Sequence, residues 1–175
     1  MKVEVPNCMM NQAKSNKNTS YTIRPAIPDD AQGISAVLSE IFKLWKSDRD
    51  SSPEHVRDFY IDHPDQIQCT VATDSDGTVL GFQSLKLATV GNIYDVTPGW
   101  GVIGTYVKLD AGRQGIGSSL FAATLLAAKE AGLPKIDASI ASDNQLGIKY
   151  YTALGFQTYR EAQDMVSTVF AVHVE

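Results

Sequence analysis

A turn reading Gly112-Arg113-Gln114-Gly115-Ile116-Gly117 lies between the β-branched run Val102 to Val107 and a helix-forming stretch that opens Ser118-Ser119-Leu120-Phe121. Glycines at a strand-to-helix turn let backbone N–H groups crowd a ligand while the helix N-terminus adds partial positive charge, so the natural guest is a phosphate or diphosphate. A nucleotide-triphosphate loop needs Lys-Ser or Lys-Thr after its last glycine, and this chain has Ser118-Ser119, which excludes it. The dinucleotide fingerprint wants glycines at its first, third and sixth places, whereas Gly112, Gly115 and Gly117 occupy the first, fourth and sixth. Asp137, twenty residues after Gly117, imitates that motif's ribose-binding acid, so the pattern leaves a dinucleotide site open, as it does a plain sharp bend.

A second constellation follows. Asn144 to Phe156 reads as a short helix closed by a C-terminal glycine, Gly155. Asn144 and Tyr151 are seven residues apart, two turns of about 3.6 residues, which puts both side chains on one face roughly 10 Å apart and within reach of one ligand.

With both segments in view the chain resembles the GNAT superfamily of acetyl-CoA-dependent N-acetyltransferases. That family's diphosphate turn runs Gln or Arg, two residues, Gly, one residue, then Gly or Ala; Gly115 and Gly117 match, while Gly112 stands where a long polar side chain is usual. The family's second motif, an Asn, a Tyr seven residues later and a closing Gly-Phe, fits Asn144, Tyr151 and Gly155-Phe156. Ile23-Arg24-Pro25-Ala26 followed by Asp29-Asp30-Ala31 is similar to the family's first strand and helix start. The resemblance implies a mixed α/β (α+β) fold, a mostly antiparallel sheet of six to seven strands with one splayed pair and about four helices. It implies acetyl-CoA as co-substrate, with cofactor contacts from Val107, Leu109, Arg113, Gln114, Gly115, Ile116, Gly117, Ser118 and Asn144, and Tyr151 as the catalytic donor to the departing thiolate. It also implies direct transfer to a primary amine of a small molecule or peptide. The different-class alternative is a non-catalytic acyl-CoA-binding or sensing module. The superfamily often forms homodimers.

The elements that must position these residues are readable in the same sequence. Tyr21 to Arg24 is a strand, and Pro28-Asp29-Asp30 starts a helix whose apolar positions Ile34, Val37, Leu38, Ile41, Phe42 and Trp45 keep helical spacing. A shorter helix opens at Pro53 and ends near His63-Pro64. Two β-rich runs, 67–73 and 78–89, flank the turn Asp74-Ser75-Asp76-Gly77. The loop 89–100 carries Tyr94, Asp95 and Trp100, and the helix after the glycine turn is apolar nearly all round, which predicts burial against a sheet. Strands follow over 135–140, 156–160 and 165–174.

Bulk properties bound the rest. The 175 residues, 43% hydrophobic, suit one domain over 21–175 after a polar tail over 1–20 that the composition marks as disordered. A formal charge of −5 lacks the footprint of a nucleic-acid binder, and no apolar run is long enough for a membrane span. Two cysteines, Cys8 and Cys69, make no disulfide framework and no metal spacing, which together imply a cytoplasmic, metal-free protein. The three histidines are scattered and read as surface or strand-end residues.

Proton transfer sets the remaining requirement of the catalytic reading. A phenol with an ordinary pKa near 10 facing a thiol near 8.5 makes full transfer uphill by about 2 kcal/mol, so a shared hydrogen bond describes Tyr151 better. Many family members place a glutamate on the strand before the turn, where this chain has Thr105 and Tyr106. Asp95, Glu40 or ordered water are the candidates to accept the amine proton. An acceptor pocket would draw on Trp45, Phe59, Tyr94 and Trp100, and aromatic with acidic groups would suit a cationic amine.

Overall fold

Two of the apolar patterns fix where the core sits. The computed structural model describes residues 20–173, so the expected tail lies outside the described residues except for Ser20. Strand β1 (Tyr21–Pro25) pairs antiparallel with β2 (Gln66–Asp74), which pairs with β3 (Val79–Leu87), which pairs with β4 (Gly101–Val107). The β2–β3 hairpin closes at Gly77 (φ 82°), and Asp74 Oδ1 accepts from the amides of Asp76 and Thr78 at 2.9 Å each. Helices α1 (Ala31–Leu44), entered through a 3-10 turn at Pro28–Asp30, and α2 (Pro53–Val56), which runs on as a π-helical turn over Arg57–Ile61, separate β1 from β2. Helix α3 (Ile116–Glu130) follows β4; β5 (Lys135–Ala141), α4 (Gln145–Ala153), β6 (Gln157–Glu161) and β7 (Met165–Ala171) complete the chain.

The result is one seven-stranded sheet in the order β1-β2-β3-β4-β5-β7-β6. Every neighbouring pair is antiparallel except β4 and β5, which run parallel and register only at Gly101↔Ile136 and Val102↔Asp137. Beyond Val102 the two strands part, and β5 keeps its other edge on β7. The expected splayed pair is therefore present, and the seven strands and four helices match the mixed architecture expected.

Alternation along β3 and β4 splits the core between the two faces of the sheet. Phe82 and Tyr106, opposite each other, join the cluster of α1 and α2 built on Ile34, Leu38, Ile41, Val56 and Tyr60. Leu85 and Ile103, also opposite each other, face the cluster of α3 and α4 with Phe121, Ile136, Ile140 and Tyr151. The α1 apolar stripe is buried as its spacing predicts. Helix α3 departs from expectation: Leu126 is 58% exposed, because its buried side is made by Ile116, Leu120, Phe121, Thr124, Ala127 and Ala128.

The opening segment Arg24 to Asp30 owes its form to one ion pair. Arg24 donates to both Asp30 carboxylate oxygens (2.7 and 2.8 Å), and Asp30 Oδ2 also accepts from the Ile27 amide at 2.8 Å, tying β1 to the start of α1. The Arg24 hydrogen bond holds the Asp30 carboxyl below its usual range, against the opposing effect of burial. A native pKa below the unfolded one stabilises the fold above the unfolded value, and that contribution disappears as pH falls through the native one. Asp30→Asn is expected to lower stability by about 1.5–3 kcal/mol at neutral pH. The gap to the parent protein in urea titrations should stay constant above about pH 5 and close as pH falls below about 4.

Candidate active site

The glycine turn is shaped for an anion by its backbone. After a 3-10 turn at Leu109–Ala111, Arg113 takes φ 62° and Gly115 φ 79°, and Gly115 is the N-cap of α3 with no side chain capping the first turn. Left-handed residues inside such a turn swing successive N–H groups toward one concavity, and the amides of Ile116, Gly117 and Ser118 precede any carbonyl of the helix that could take them. Val107, Arg113, Gly115, Ile116, Gly117 and Ser118 line one cavity of about 150 Å³, together with Ala111, Gly112 and Tyr150. Six of the nine residues expected to hold the cofactor are thus brought together.

The other three sit differently. Gln114 belongs to the turn but does not line the cavity. Leu109 opens the 3-10 turn beyond β4, and its amide donates to Glu40 Oε1 at 2.9 Å, which commits Glu40, one of the expected proton acceptors, to bracing the turn. Asn144 precedes α4 as its N-cap, with Oδ1 accepting from the Gly147 amide at 2.9 Å, so its side-chain oxygen is engaged in capping the helix. The far end of α4 closes as its glycine predicts: Gly155 takes φ 100°, the Phe156 amide donates to Tyr151 O and the Gly155 amide to Thr152 O, the Schellman pattern.

The two adjacent tyrosines divide their positions. Tyr151 is fully buried, its ring against Tyr150 and Phe156 and its Oη 3.0 Å from Thr105 Oγ1, on the stretch of β4 that has left β5. Burial raises its pKa well above the usual phenol value. Tyr150 lines the turn cavity, donates through Oη to Gly117 O at 2.7 Å and accepts from Gln83 Nε2 at 3.3 Å. Nothing in a one-dimensional helical spacing tells which of two neighbours reaches the turn, since α3 supplies the other wall.

On the opposite face of β3 and β4 lies a second cavity, of about 310 Å³. Ser84, Lys86, Val102, Gly104 and Tyr106 form its floor, His55 of α2 with Phe59 and Tyr60 of the π-helical turn after it form its wall, and Ile93 and Tyr94 its rim from the 89–100 loop. Phe59 and Tyr94 are thus both in the lining, as an aromatic acceptor pocket requires. Trp45 instead packs behind Phe42 and Tyr106, and Trp100 lies against Tyr159 with Lys135 Nζ 4.8 Å from its ring. Asp95, the other expected proton acceptor, is an exposed loop residue paired with Arg160 at 2.7 Å and does not line the cavity. The lining brings Arg49, Asp50, His55 and Lys86, none of them anticipated, and His55 stacks on Phe59 instead of lying on the open surface.

Other candidate chemistries find no support among the described residues. Cys69 is buried, with its thiol pushed up to about 12 by desolvation, so it is no nucleophile at neutral pH. Cys8 lies outside the described residues. No group of three His, Cys, Asp or Glu side chains among the described residues is placed to hold a metal ion, and no described helix is long and apolar enough to cross a membrane. Asp137 is fully buried on β5, accepting from Tyr159 Oη at 2.8 Å and Ser139 Oγ at 3.0 Å, so its carboxylate is spent inside the sheet and does not await a ribose.

The fold is shared by solved acetyltransferases. A GCN5-related N-acetyltransferase from Kribbella flavida superposes with a TM-score of 0.71 at 20% identity, over 86% of this chain and 97% of the other. The PaiA N-acetyltransferase of Thermoplasma acidophilum, solved with coenzyme A, gives 0.69 at 18% identity over 87% and 99%. A phosphinothricin acetyltransferase of Sinorhizobium meliloti, solved with acetyl-CoA, gives 0.70 at 18% over 87% and 88%. No curated protein matches the sequence. The family model described as acetyltransferase (GNAT) matches residues 35–156, which takes in the glycine turn, the splayed strands and the Tyr151 helix. The chain therefore belongs to the acetyltransferase (GNAT) family, whose enzymes transfer an acyl group from acetyl-CoA.

Proposed function

We propose that the protein transfers the acetyl group of acetyl-CoA to a primary amine of a small molecule, directly and within one ternary complex. The observation that carries this reading is the placement of two cavities on opposite faces of β4, at the stretch where β4 and β5 part. An acyl donor on the glycine-turn face and an amine on the other would meet at the gap, and holding both removes association entropy from the barrier.

The residues of the chain then have defined tasks. The turn amides of Gly115 to Ser118 and the Arg113 cation fit a diphosphate; the C-terminal end of β4 at Val107, with Leu109 in the 3-10 turn just beyond it, fits the amide groups of the pantetheine arm. As the amine nitrogen forms its bond to the thioester carbon and the carbon–sulfur bond breaks, Tyr151 Oη donates a hydrogen bond to the sulfur. Because burial raises the Tyr151 pKa, complete proton transfer is more uphill than for an exposed phenol, and the shared hydrogen bond carries the stabilisation. The His55 imidazole lines the acceptor cavity with the Asp50 carboxylate 4.0 Å from its Nδ1, which supports it as the group that takes the amine proton. His55→Ala is expected to lower kcat/KM by about 10²-fold while leaving coenzyme A affinity unchanged; an unchanged kcat/KM in the variant would remove His55 from this role.

The test of the reading as a whole is thiol release from acetyl-CoA over a panel of amines, alongside calorimetry with coenzyme A. Binding with turnover on at least one amine is expected. Binding without turnover on any would favour a sensing module, and no binding at all would end the proposal.

A further inference from the structure

Lys86 is a buried lysine without a counter-ion among the described residues. It is 5% exposed, stands on the floor of the 310 Å³ cavity, and among the described residues its Nζ finds no hydrogen-bond acceptor. The Nζ instead lies 3.2 Å from the centre of the Phe59 ring and 5.6 Å from that of Tyr60. A ring face attracts a cation but satisfies none of the three N–H donors, and a buried ammonium without acceptors is costly enough that lysine is almost never found that way. Desolvation accordingly lowers its pKa to about 8, partly opposed by Asp65 and Cys69.

A second cation, Arg49, lines the same cavity, with its guanidinium carbon 4.6 Å above the Phe42 ring. The carboxylate in the lining, Asp50, is 61% exposed, accepts from the Ser52 amide and faces His55, and makes no ion pair with Lys86 among the described residues. The cavity is thus cationic with aromatic walls, the reverse of the acidic pocket that the sequence suggested for a cationic amine.

We propose that the acceptor is a small amino acid, whose carboxylate is held by Lys86 with Arg49 at the rim and whose amine is thereby aimed at the gap between β4 and β5. This specificity rests on the transferase reading above. The spacing supports it: Lys86 pairs with Val102 and Ser84 with Gly104, on the same face of the sheet, and two residues along a strand span about 6.6 Å. A carboxylate on the lysine side leaves an α-amine nitrogen, two bonds from the carboxyl carbon, on the side of Gly104, where β4 has already left β5. The volume sets the size, roughly ten non-hydrogen atoms at about 30 Å³ for each water-sized group. The remainder of the ligand meets Phe59, Tyr60, Tyr94 and Val102, which suits an apolar or aromatic side chain.

The test compares apolar and aromatic α-amino acids with their carboxamides as acceptors, in the parent protein, Lys86→Met and Lys86→Arg. The acids are expected to exceed the carboxamides in kcat/KM by about 10- to 100-fold, as a hydrogen bond to a charged group allows. That ratio should collapse toward one in Lys86→Met and be partly kept in Lys86→Arg. In parallel, calorimetry on the protein saturated with coenzyme A measures N-acetyl amino acids against their methylamides, a readout that needs no turnover. Acids and carboxamides acetylated equally, with the ratio unmoved in Lys86→Met, would overturn the amino-acid specificity and leave the transferase reading intact. Absence of any turnover would sink the transferase reading instead; Lys86-dependent binding of the N-acetyl acids would still support the carboxylate site, and its absence would overturn that too.

Discussion

Replacing Gly117 with valine is expected to weaken coenzyme A binding by at least a hundredfold. A Cβ at this position would lie 2.7 Å from Tyr150 Cε2 and 3.3 Å from its Cζ and Oη, closer than side-chain carbons approach one another. The Tyr150 ring has little room to yield, since its Oη is bound to Gly117 O and it packs on Tyr151. The first turn of α3 or the ring must therefore move, and either motion turns the amides of residues 116–118 away from a diphosphate. Losing two hydrogen bonds to a charged group costs about 3–6 kcal/mol, a factor of 10² or more. Calorimetry with coenzyme A checks this. Gly115→Ala is a milder companion: its φ of 79° strains any side chain and its Cβ would meet Tyr21 Oη at 3.3 Å, so an intermediate loss is expected. Gly132→Ala, at the far end of α3 with φ 67° and nothing within 4 Å of its Cβ, supplies the control, with about 1 kcal/mol lost in stability and coenzyme A binding kept. A folded Gly117→Val protein that binds coenzyme A as the parent does would remove the turn from the cofactor site.

Tyr151→Phe should lower kcat by about 10²-fold with little change in the KM for acetyl-CoA, the signature of a hydrogen bond made only as the thiolate departs. The substitution is mild for the fold, because Thr105 Oγ1 keeps its bond from Gln83 Nε2 at 2.7 Å and the ring keeps its packing. Tyr150→Phe supplies the contrast. It removes the bond to Gly117 O and so should act on coenzyme A affinity more than on kcat. The pH dependence carries the same assignment. With the Tyr151 pKa raised by burial, the phenol stays protonated to higher pH than a free tyrosine, so an alkaline fall in rate below pH 10 has to come from another group and should persist in Tyr151→Phe. If Tyr150→Phe lost kcat and Tyr151→Phe did not, the donor would be Tyr150.

Lys86 shows how such a site bears on stability. A lysine whose native pKa lies near 8, below its unfolded value, opposes folding at neutral pH, and the opposition is relieved as pH rises through that value toward 10.5. Lys86→Met should therefore raise the melting temperature while it removes carboxylate preference, the exchange of stability for function found where a charge is kept buried for a ligand.

Local chemistry made much of this protein legible in one dimension. Glycines whose φ must be positive announced their turns: Gly77 closes the β2–β3 hairpin, Gly115 opens α3 and Gly155 ends α4. The stripe from Ile34 to Phe42 declared the buried face of α1, and the order of turn, Asn144, Tyr151 and Gly155-Phe156 carried the family, because each of these depends on neighbours a few residues away. What the sequence could not rank were residues whose surroundings come from elsewhere in the chain. Tyr150 and Tyr151 differ by one helical step, and only the position of α3 decides that one hydroxyl meets Gly117 while the other meets Thr105. Glu40 and Asp95 looked alike as carboxylates until the tertiary structure bound one to the Leu109 amide and turned the other outward to Arg160. Lys86 is one lysine in a strand until the π-helical turn after α2 lays Phe59 over its ammonium. Backbone torsions and apolar periodicity are properties of short segments, whereas burial, hydrogen-bond partners and the sign of a cavity arise from segments far apart in sequence, and these were settled only when the sheet and helices closed around them.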